Sequence, residues 1–424
     1  MSDYFNSFNE DEDFSYLISK FEDAVESGLI NETHFSEEEY DYLINHYMGE
    51  DDGDSVFMLA KMAHREHPYS VDLIIRYVDV LIVNKDYNEA IKVTEQRLAT
   101  DSHNADILFL HGRALAKTGQ HEEARRFIDA AAEIEQEDSA EMYTTIGQDY
   151  VEEEDFENAL YYLEIVYGTS PANYDVLNDL AYCYDRLGDL DKATDLYQKL
   201  IDIDPFNDYI WYNIGTIYSK IPDYDKALDA YGYALALNPS NTSALYNKAI
   251  ILINNKKIKE ATELFEDFLT LEPDNVQVMI ALADSYLTLG ENDNASVYFK
   301  RVLSFDKNSV EANMGISAIL LYEKDYFSSL VHLRRVMGKD EADYHFMAEP
   351  LYNAYIETKI MEFLIYTLIA LYKTGAMQKF YIGIDILLEK DEIWLDKLLE
   401  YLPKVNKDKI VAQKIKQHKE GLSN

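Results

Sequence analysis

The side chains that come nearest to a metal-binding cluster in this sequence are His64, Glu66 and His67. Imidazole and carboxylate groups are common zinc ligands, but a zinc site needs three or four of them at defined spacings. These three residues directly precede Pro68, where a chain turn is expected, and we favour a surface position over a ligand role. No metal ion or other cofactor is expected.

Motifs for nucleophilic catalysis or phosphate binding are missing from the sequence. It contains no HExxH, no GxSxG, no paired cysteine motif and no glycine-rich phosphate loop. The one cysteine, Cys183, is interpreted as a small packing residue in a reducing compartment. The sequence therefore favours a non-enzymatic protein. An enzyme with its site in the C-terminal helices is the alternative, although no residue cluster supports it.

Acidic residues far outnumber basic ones, with 79 Asp and Glu against 38 Lys and Arg and a net charge of −41. Such a surface repels nucleic acid and anionic membranes, so the expected partner is a basic or neutral protein or peptide. The N-terminal region is the most acidic part, from the run Glu10–Asp13 to Asp54, with Lys20 its only basic residue. This region can be a solvated face or a dock for a basic protein.

Two observations bear on the cellular location of the protein. The opening residues have neither a basic nor an apolar segment of the kind found in a signal peptide. The longest apolar run, Phe363 to Tyr372, is about half as long as a membrane-spanning helix. We therefore expect a soluble, cytoplasmic protein.

The sequence contains an internal repeat of 34 residues, which predicts the structural elements that position the residues discussed above. Nine repeats are in register, with the single extra residue Ser139 between the third and the fourth. We number them repeats 1 to 9; they start at Glu37, Val71, Ala105, Ala140, Tyr174, Asp208, Thr242, Val276 and Val310. A period of this length predicts a stack of similar helical hairpins rather than separate globular domains.

The recurring residues have a steric logic. Position 8 is small in seven repeats and position 20 is Ala in seven, which lets the two helices of a hairpin approach closely. Position 16 is Asp in six repeats, where it can cap the second helix, and position 32 is Pro in five, where it ends that helix. Tyrosines at positions 11, 17 and 24, such as Tyr184, Tyr224 and Tyr231, are expected in the core.

The repeat resembles the tetratricopeptide repeat (TPR) family. In repeat 6 the family pattern is matched at eight positions, by Trp211, Ile214, Gly215, Tyr218, Ala227, Tyr231, Ala234 and Pro239. The resemblance extends over Glu37 to Asp343 and implies an all-α fold, a right-handed α-solenoid of helix-turn-helix hairpins. It also implies that positions 2, 5, 6, 9 and 12 of each first helix line a concave groove and do not contribute to the core. We call these positions the first-helix face.

The middle of this face is rich in amides and aromatic rings. Asn213 and Asn247 occupy position 6 of adjacent repeats, and this resembles the asparagine ladders with which some TPR proteins hold an extended peptide by its backbone. The predicted peptide-binding residues, in repeats 4 to 7, are Thr145, Asp175, Asn178, Asp179, Tyr209, Tyr212, Asn213, Tyr246 and Asn247. The two aspartates would select a basic residue.

The sequence thus predicts a protein-interaction scaffold, and a holdase or assembly chaperone for one basic client is the alternative. The two-carboxylate clamp of TPR proteins that bind chaperone tails is not matched, since position 5 never carries Lys. An unused, solvated first-helix face remains open as well. The predicted organisation is an acidic N-terminal capping helix over 1–36, nine TPR-like repeats over 37–343 and a divergent C-terminal helical cap over 344–424.

The N-terminal cap is predicted from an apolar stripe at helical spacing. The stripe consists of Phe14, Leu17, Ile18, Phe21 and Val25, and Gly28 can end the helix. Ser36 and Glu39 form a capping box that opens repeat 1.

Overall fold

The structure is a computed structural model that describes residues 10–339, 342–390 and 392–421. The side chains of residues 10–14, which include the acidic run Glu10–Asp13 and Phe14, lie outside the described part. All regular secondary structure in the described residues is helical, as expected for an α-solenoid. The chain divides into two compact units, Met1–Ile203 and Asp204–Asn424, and each is described by itself.

The first unit contains eleven α-helices among its described residues and a short 3-10 helix at Ile30–Glu32. Consecutive helices pack against each other as antiparallel hairpins joined by short turns. The helices are α1 (Glu10–Glu26), α2 (Glu37–Gly49), α3 (Gly53–Glu66), α4 (Val71–Val83), α5 (Tyr87–Leu98), α6 (Ala105–Lys117), α7 (His121–Ile134), α8 (Ser139–Glu152), α9 (Phe156–Thr169), α10 (Tyr174–Leu187) and α11 (Leu190–Ile203).

The second unit contains thirteen α-helices among its described residues and a 3-10 helix at Pro403–Lys407. The helices are α12 (Asp208–Lys220), α13 (Tyr224–Leu237), α14 (Thr242–Asn254), α15 (Ile258–Leu271), α16 (Val276–Leu289), α17 (Asn292–Phe305), α18 (Val310–Tyr322), α19 (Tyr326–Val336), α20 (Ala348–Thr358), α21 (Met361–Lys373), α22 (Met377–Leu388), α23 (Glu392–Tyr401) and α24 (Lys409–Gly421).

Each predicted repeat is one hairpin, and its first helix begins at the predicted first residue in eight of the nine repeats. The exception is α8, which begins at Ser139, one residue early. The extra residue of the sequence is therefore absorbed as the first residue of that helix. The later hairpins keep the register because the insertion lies outside the positions where the two helices touch.

Small residues do set the helix spacing. A Cβ atom on Gly147 would lie 2.7 Å from Leu163 Cδ2, and one on Gly215 would lie 2.9 Å from the Tyr231 ring. Both partners stand at position 24, so glycine at position 8 makes room for the large residue of the facing helix. The seven alanines at position 20 are all fully buried.

Aspartate at position 16 caps the second helix, as predicted. In the hairpins of Asp52, Asp86, Asp155, Asp223 and Asp325 the carboxylate accepts a hydrogen bond from the backbone N–H three residues later. This contact satisfies one of the unpaired donors at a helix start. The Ser36–Glu39 capping box is also present, with both of its hydrogen bonds formed.

The structure corrects several expectations about burial. Tyr224 is exposed, because position 17 is the first residue of the second helix and lies at the edge of the hairpin. Position 6 joins the core at two sites, since Leu110 is buried and Gly315 packs against the ring of Phe299. The N-terminal stripe buries Leu17 and Phe21 but leaves Val25 exposed.

The apolar run near the C terminus is a buried core helix. All residues of α21 from Phe363 to Ala370 are buried, and the helix packs against α20, α22 and α23. In the part of the chain that the structure describes, none of the helices combines the length and apolar character needed to cross a bilayer.

Candidate functional site

The predicted peptide-binding residues lie on first helices, four in the first unit and five in the second. Thr145 lies on α8, and Asp175, Asn178 and Asp179 lie on α10; these form the acidic patch. Tyr209, Tyr212 and Asn213 lie on α12, and Tyr246 and Asn247 lie on α14; these form the amide–aromatic patch.

In the acidic patch, α8 and α10 are linked by a side-chain hydrogen bond. Gln148 Nε2 donates to Asp179 Oδ2 at 3.1 Å. Burial raises the pKa of Asp179, and the charge of Asp175 raises it further, while the hydrogen bond from Gln148 acts in the opposite direction. Asp175 itself is exposed. A cation at this place would favour the ionised form of Asp179.

Thr145 and Asn178 are both half-buried in the same patch. The Asn178 side chain acts on the Asp179 carboxylate and opposes the rise in its pKa. Its own carbonyl oxygen, Oδ1, is buried and has no hydrogen-bond donor among the described residues. An acceptor without a donor is costly to keep, and a backbone N–H of a bound segment would satisfy it.

In the amide–aromatic patch, adjacent first helices are linked through Asn247. Asn247 Nδ2 donates to the hydroxyl of Tyr212 at 3.4 Å, and the Tyr212 ring lies 5.9 Å from that of buried Tyr231. The Tyr231 hydroxyl lies 3.2 Å from Thr216 Oγ1 and 3.3 Å from Ser219 Oγ. This network holds one edge of Tyr212, and the Asn247 side chain also acts on the Tyr231 hydroxyl, where it opposes the rise in pKa that burial causes.

Asn213, the other predicted ladder residue, is half-buried and makes no hydrogen bond through its side chain to the described residues. Both of its amide groups are therefore available to a ligand. Tyr246 is also half-buried; its ring lies 6.0 Å from that of Phe265, and its hydroxyl accepts a hydrogen bond from Gln277 Nε2 at 2.9 Å. Tyr209 is the most exposed member, with 52% of its surface accessible.

Sequence reasoning missed the two glutamines that support these patches. Gln148 stands at position 9 of repeat 4, and Gln277 stands at position 2 of repeat 8. Both positions belong to the first-helix face, so reading every residue at positions 2 and 9 would have found them. Thr216 and Ser219, at positions 9 and 12 of repeat 6, would be found in the same way, but their contact with Tyr231 depends on which side chains meet across the hairpin.

The arginines on the first-helix face of the first unit are already paired. Arg113 Nε donates to Asp149 at 2.8 Å, and a terminal nitrogen of Arg113 lies 3.5 Å from Asp79. Arg76 lies 3.0 Å from Asp41. These side chains neutralise the protein's own carboxylates, so they are not available to hold an acidic ligand.

The residues considered for metal or thiol chemistry have structural contacts. His64 stacks on Tyr77 with ring centroids 4.9 Å apart, and Glu66 accepts a hydrogen bond from Tyr40 at 2.9 Å. The surface position expected for these residues is thus wrong, because His64, Glu66 and His67 are all partly buried. Among the described residues, no group of three or more potential ligands could hold a metal ion.

Cys183 is fully buried, as predicted for a packing residue. Burial raises the pKa of its thiol to about 12, and the charge of Asp179 adds to the shift. The thiolate, which is the reactive form, is therefore scarce at neutral pH.

Comparison with solved structures finds several repeat proteins of low sequence identity. MamA from Desulfovibrio magneticus is 20% identical over 40% of this chain and 96% of its own, with a TM-score of 0.38. The C-terminal part of a TPR repeat-containing protein from Cytophaga hutchinsonii is 16% identical over 57% and 98%, with a TM-score of 0.48. PilF of Pseudomonas aeruginosa is 20% identical over 47% and 92%, with a TM-score of 0.39.

Models of the tetratricopeptide repeat match the sequence itself. The matched segments are residues 81–148, 150–212, 209–241, 242–275 and 276–309. They cover more than half of the chain. The last three begin within one residue of a hairpin start, and the first two begin at position 11 of repeats 2 and 4 and each span about two repeat lengths. With small residues at position 8, buried alanines at position 20 and capped second helices in place, this chain belongs to the tetratricopeptide repeat family of protein-interaction scaffolds.

Proposed function

We propose that this protein is a non-enzymatic scaffold that binds an extended peptide segment on its first-helix face. Each unit would bind by itself. In the second unit the amide–aromatic patch would bind the backbone and apolar side chains of an extended segment, and in the first unit the acidic patch would bind a basic side chain. The proposed peptide-binding residues are Thr145, Asp175, Asn178, Asp179, Tyr209, Tyr212, Asn213, Tyr246 and Asn247.

The observation that carries this proposal is the burial and incomplete hydrogen bonding of the two asparagines. Asn213 and Asn247 are half-buried at equivalent positions on α12 and α14, and neither amide is fully hydrogen-bonded within the described residues. An Asn amide offers both a donor and an acceptor, which matches the alternating N–H and C=O groups of an extended chain. Because both residues are only half-buried, a bound segment can reach amide groups that internal partners do not fully occupy.

Hydrogen bonds of this kind cannot supply the whole affinity. Each contributes about 0.5–1.5 kcal/mol net, whereas micromolar binding needs roughly 8 kcal/mol. Exposed Tyr209 and half-buried Tyr212 and Tyr246 offer large aromatic surfaces beside the amides. Burying aromatic rings is the usual source of affinity at such interfaces.

The charge distribution supports a basic or neutral segment. In the first unit, burial raises the pKa of Asp179, and the charge of Asp175 adds to the shift. In the second unit burial raises the pKa of Asp284 to about 6, and the charges of Glu311 and Asp343 add to the shift. Carboxylates that repel one another are stabilised by an incoming cation and destabilised by another anion.

The test is a comparison of peptide capture by the wild-type chain and the double variant Asn213→Ala plus Asn247→Ala. We expect peptides selected on an array of varied charge to bind the variant about 5- to 100-fold more weakly, because two amide contacts are lost. The matched control is Asn254→Ala plus Asn294→Ala, which removes two exposed asparagines of the same unit. Unchanged capture by the first variant would refute the asparagine ladder.

A holdase or assembly chaperone for one basic client is the second candidate, and the net charge of −41 favours it. Such a protein would co-purify with its client and would keep that client from aggregating at low salt. A scaffold that binds a short segment would not suppress aggregation. Light scattering of a basic, aggregation-prone protein with and without the chain separates the two.

We further propose that the organisation follows the predicted bounds, with a capping segment over 1–36, nine repeats over 37–343 and a helical cap over 344–424. Its support is the core of α20 to α24, where buried Phe363, Phe380 and Leu398 extend the apolar interior beyond the last repeat. A terminal element of this kind shields the last apolar face of a solenoid from water.

A further inference from the structure

Three exposed apolar side chains lie on the second helices of repeats 8 and 9. They are Val297 of α17 and Phe327 and Val331 of α19, with 62%, 75% and 51% of their surface accessible. Phe327 and Val331 are four residues apart and therefore share one face of α19, which Arg335 continues after another four residues. Together with Lys300 of α17, these residues are called the α17–α19 patch.

The apolar members depart from the repeat pattern. Val297 and Val331 both stand at position 22, on the outer side of the second helix. A charged residue at that position keeps the outer side solvated. Position 22 is charged in five of the other seven repeats, as Lys92, Arg126, Asp195, Asp229 and Glu263. Exposed apolar residues at equivalent places on two adjacent hairpins indicate an interaction surface.

Two basic side chains act at the patch, although the chain as a whole is strongly acidic and Asp293 lies four residues before Val297 on α17. His332, on α19, has its pKa lowered first by burial and then by the charges of Arg335 and Lys300. His64 differs in the sign of its charged neighbour. Burial lowers its pKa as well, but the negative charge of Glu89 opposes that shift. The two cations of the patch therefore lie close enough to His332 to act on it together.

These two cations are also available. The neighbouring arginines are occupied, Arg301 by Asp274 at 3.1 Å and Arg334 by Glu362 at 2.7 Å. Lys300 and Arg335 are exposed and form no ion pair within the described residues. Within the described residues, the patch thus combines positive charge that is not ion-paired with exposed apolar surface.

We propose that the α17–α19 patch docks a short acidic segment of a partner protein that carries bulky apolar anchors. Its carboxylates contact Lys300 and Arg335, and its apolar side chains cover Phe327, Val331 and Val297. An anionic membrane has similar chemistry but extends well beyond the patch, where the remaining acidic surface would repel it. A short segment meets only the local positive field, because charges farther than about 8 Å are screened at physiological salt.

The probe is a synthetic acidic peptide with one Phe and two Leu spaced four residues apart, and binding to the full chain is measured by fluorescence anisotropy. The variant Lys300→Glu plus Arg335→Glu should weaken binding by about tenfold or more, because two attractions become repulsions. The control Lys259→Glu plus Lys307→Glu changes the net charge equally at exposed sites of the same unit. It should change the affinity by less than about twofold.

A second variant tests the apolar half of the patch. Phe327→Ser plus Val331→Ser should weaken binding by about tenfold, and both residues are exposed enough to be replaced without unfolding the chain. Equal binding of a peptide with Ser in place of Phe and Leu would overturn the proposal. A second result would also overturn it: the chain binds phosphatidylserine vesicles but not the peptide, and the variants abolish the vesicle binding. The Asn213 and Asn247 double variant should bind the acidic peptide normally, so failure of the first-helix proposal is distinguishable.

Discussion

Three histidines of this chain lie in surroundings that disfavour their charged form. Burial lowers the pKa of His64, His111 and His332. His111 is the most enclosed, with 4% of its surface accessible, its Nδ1 2.8 Å from Thr94 Oγ1 and its ring 4.4 Å from that of Phe127. A neutral imidazole fits this site, and an imidazolium would have to be desolvated without a carboxylate in contact.

We expect His111 to make folding less favourable as the pH falls. A histidine whose pKa is lowered in the folded state binds protons more readily when unfolded, so its contribution to stability is present above about 6.5 and lost below. The difference in thermal midpoint between wild type and His111→Gln should therefore narrow between about pH 7.5 and pH 5. Circular dichroism melting curves give the measurement.

The matched control for this experiment is His103→Gln, at an exposed site. Its melting temperature should follow the wild-type curve over the whole pH range. A constant gap between wild type and His111→Gln would show that the imidazole does not resist protonation in the folded chain. Carboxylates with raised pKa values act in the opposite direction, but they are the same in all three proteins and cancel in the comparison.

At the scale of the helices, close approach between α17 and α18 depends on one missing side chain. A Cβ atom on Gly315 would lie 2.3 Å from the Phe299 ring, which is fully buried and has no room to move. Gly232, inside α13, is different, because the nearest atom to its Cβ position is Lys248 Nζ at 3.5 Å. The same substitution should therefore act in opposite directions at these two sites.

We expect Gly315→Ala to destabilise the chain by about 1–3 kcal/mol through overpacking. Gly232→Ala should stabilise it by about 0.5–1 kcal/mol, because alanine loses less backbone freedom than glycine in a helix interior. Urea unfolding followed by circular dichroism compares the two midpoints. Shifts of the same sign would mean that the α17–α18 contact relaxes around the extra methyl group.

At the scale of the whole molecule, the net charge of −41 shapes which partners can approach. Acidic side chains repel one another and any anionic surface, and they attract cationic segments from a distance. Two places modify this field locally. The arginines on the first unit's first-helix face neutralise neighbouring carboxylates. Lys300 and Arg335 of the α17–α19 patch form no ion pair within the described residues and create a basic site on an acidic protein.

We expect affinity for a basic peptide to fall several-fold between about 0.1 M and 1 M NaCl, since the screening length shrinks from about 10 Å to about 3 Å. A neutral peptide with the same apolar side chains should bind almost equally at both salt concentrations. Isothermal titration calorimetry on both peptides provides the measurement. Identical salt responses would show that net charge does not select the partner.

Much of the fold could be predicted from the sequence because the repeat is a packing code. Small residues at position 8, Ala at position 20 and Asp at position 16 each have a local steric or hydrogen-bonding role, so their period predicts the hairpins and nearly every helix start. The candidate ladder residues Asn213 and Asn247 could be located by position alone. Whether they bind a peptide stays a prediction.

Tertiary structure alone decided which side chains meet across different helices. Tyr224 is exposed at a hairpin edge, His64 stacks on Tyr77, and Asn247 reaches the Tyr212 hydroxyl. Lys300 and Arg335, which lie on different second helices, act together on His332. A repeat specifies the environment of a position within its own hairpin, whereas these contacts depend on the particular residues that neighbouring hairpins bring together.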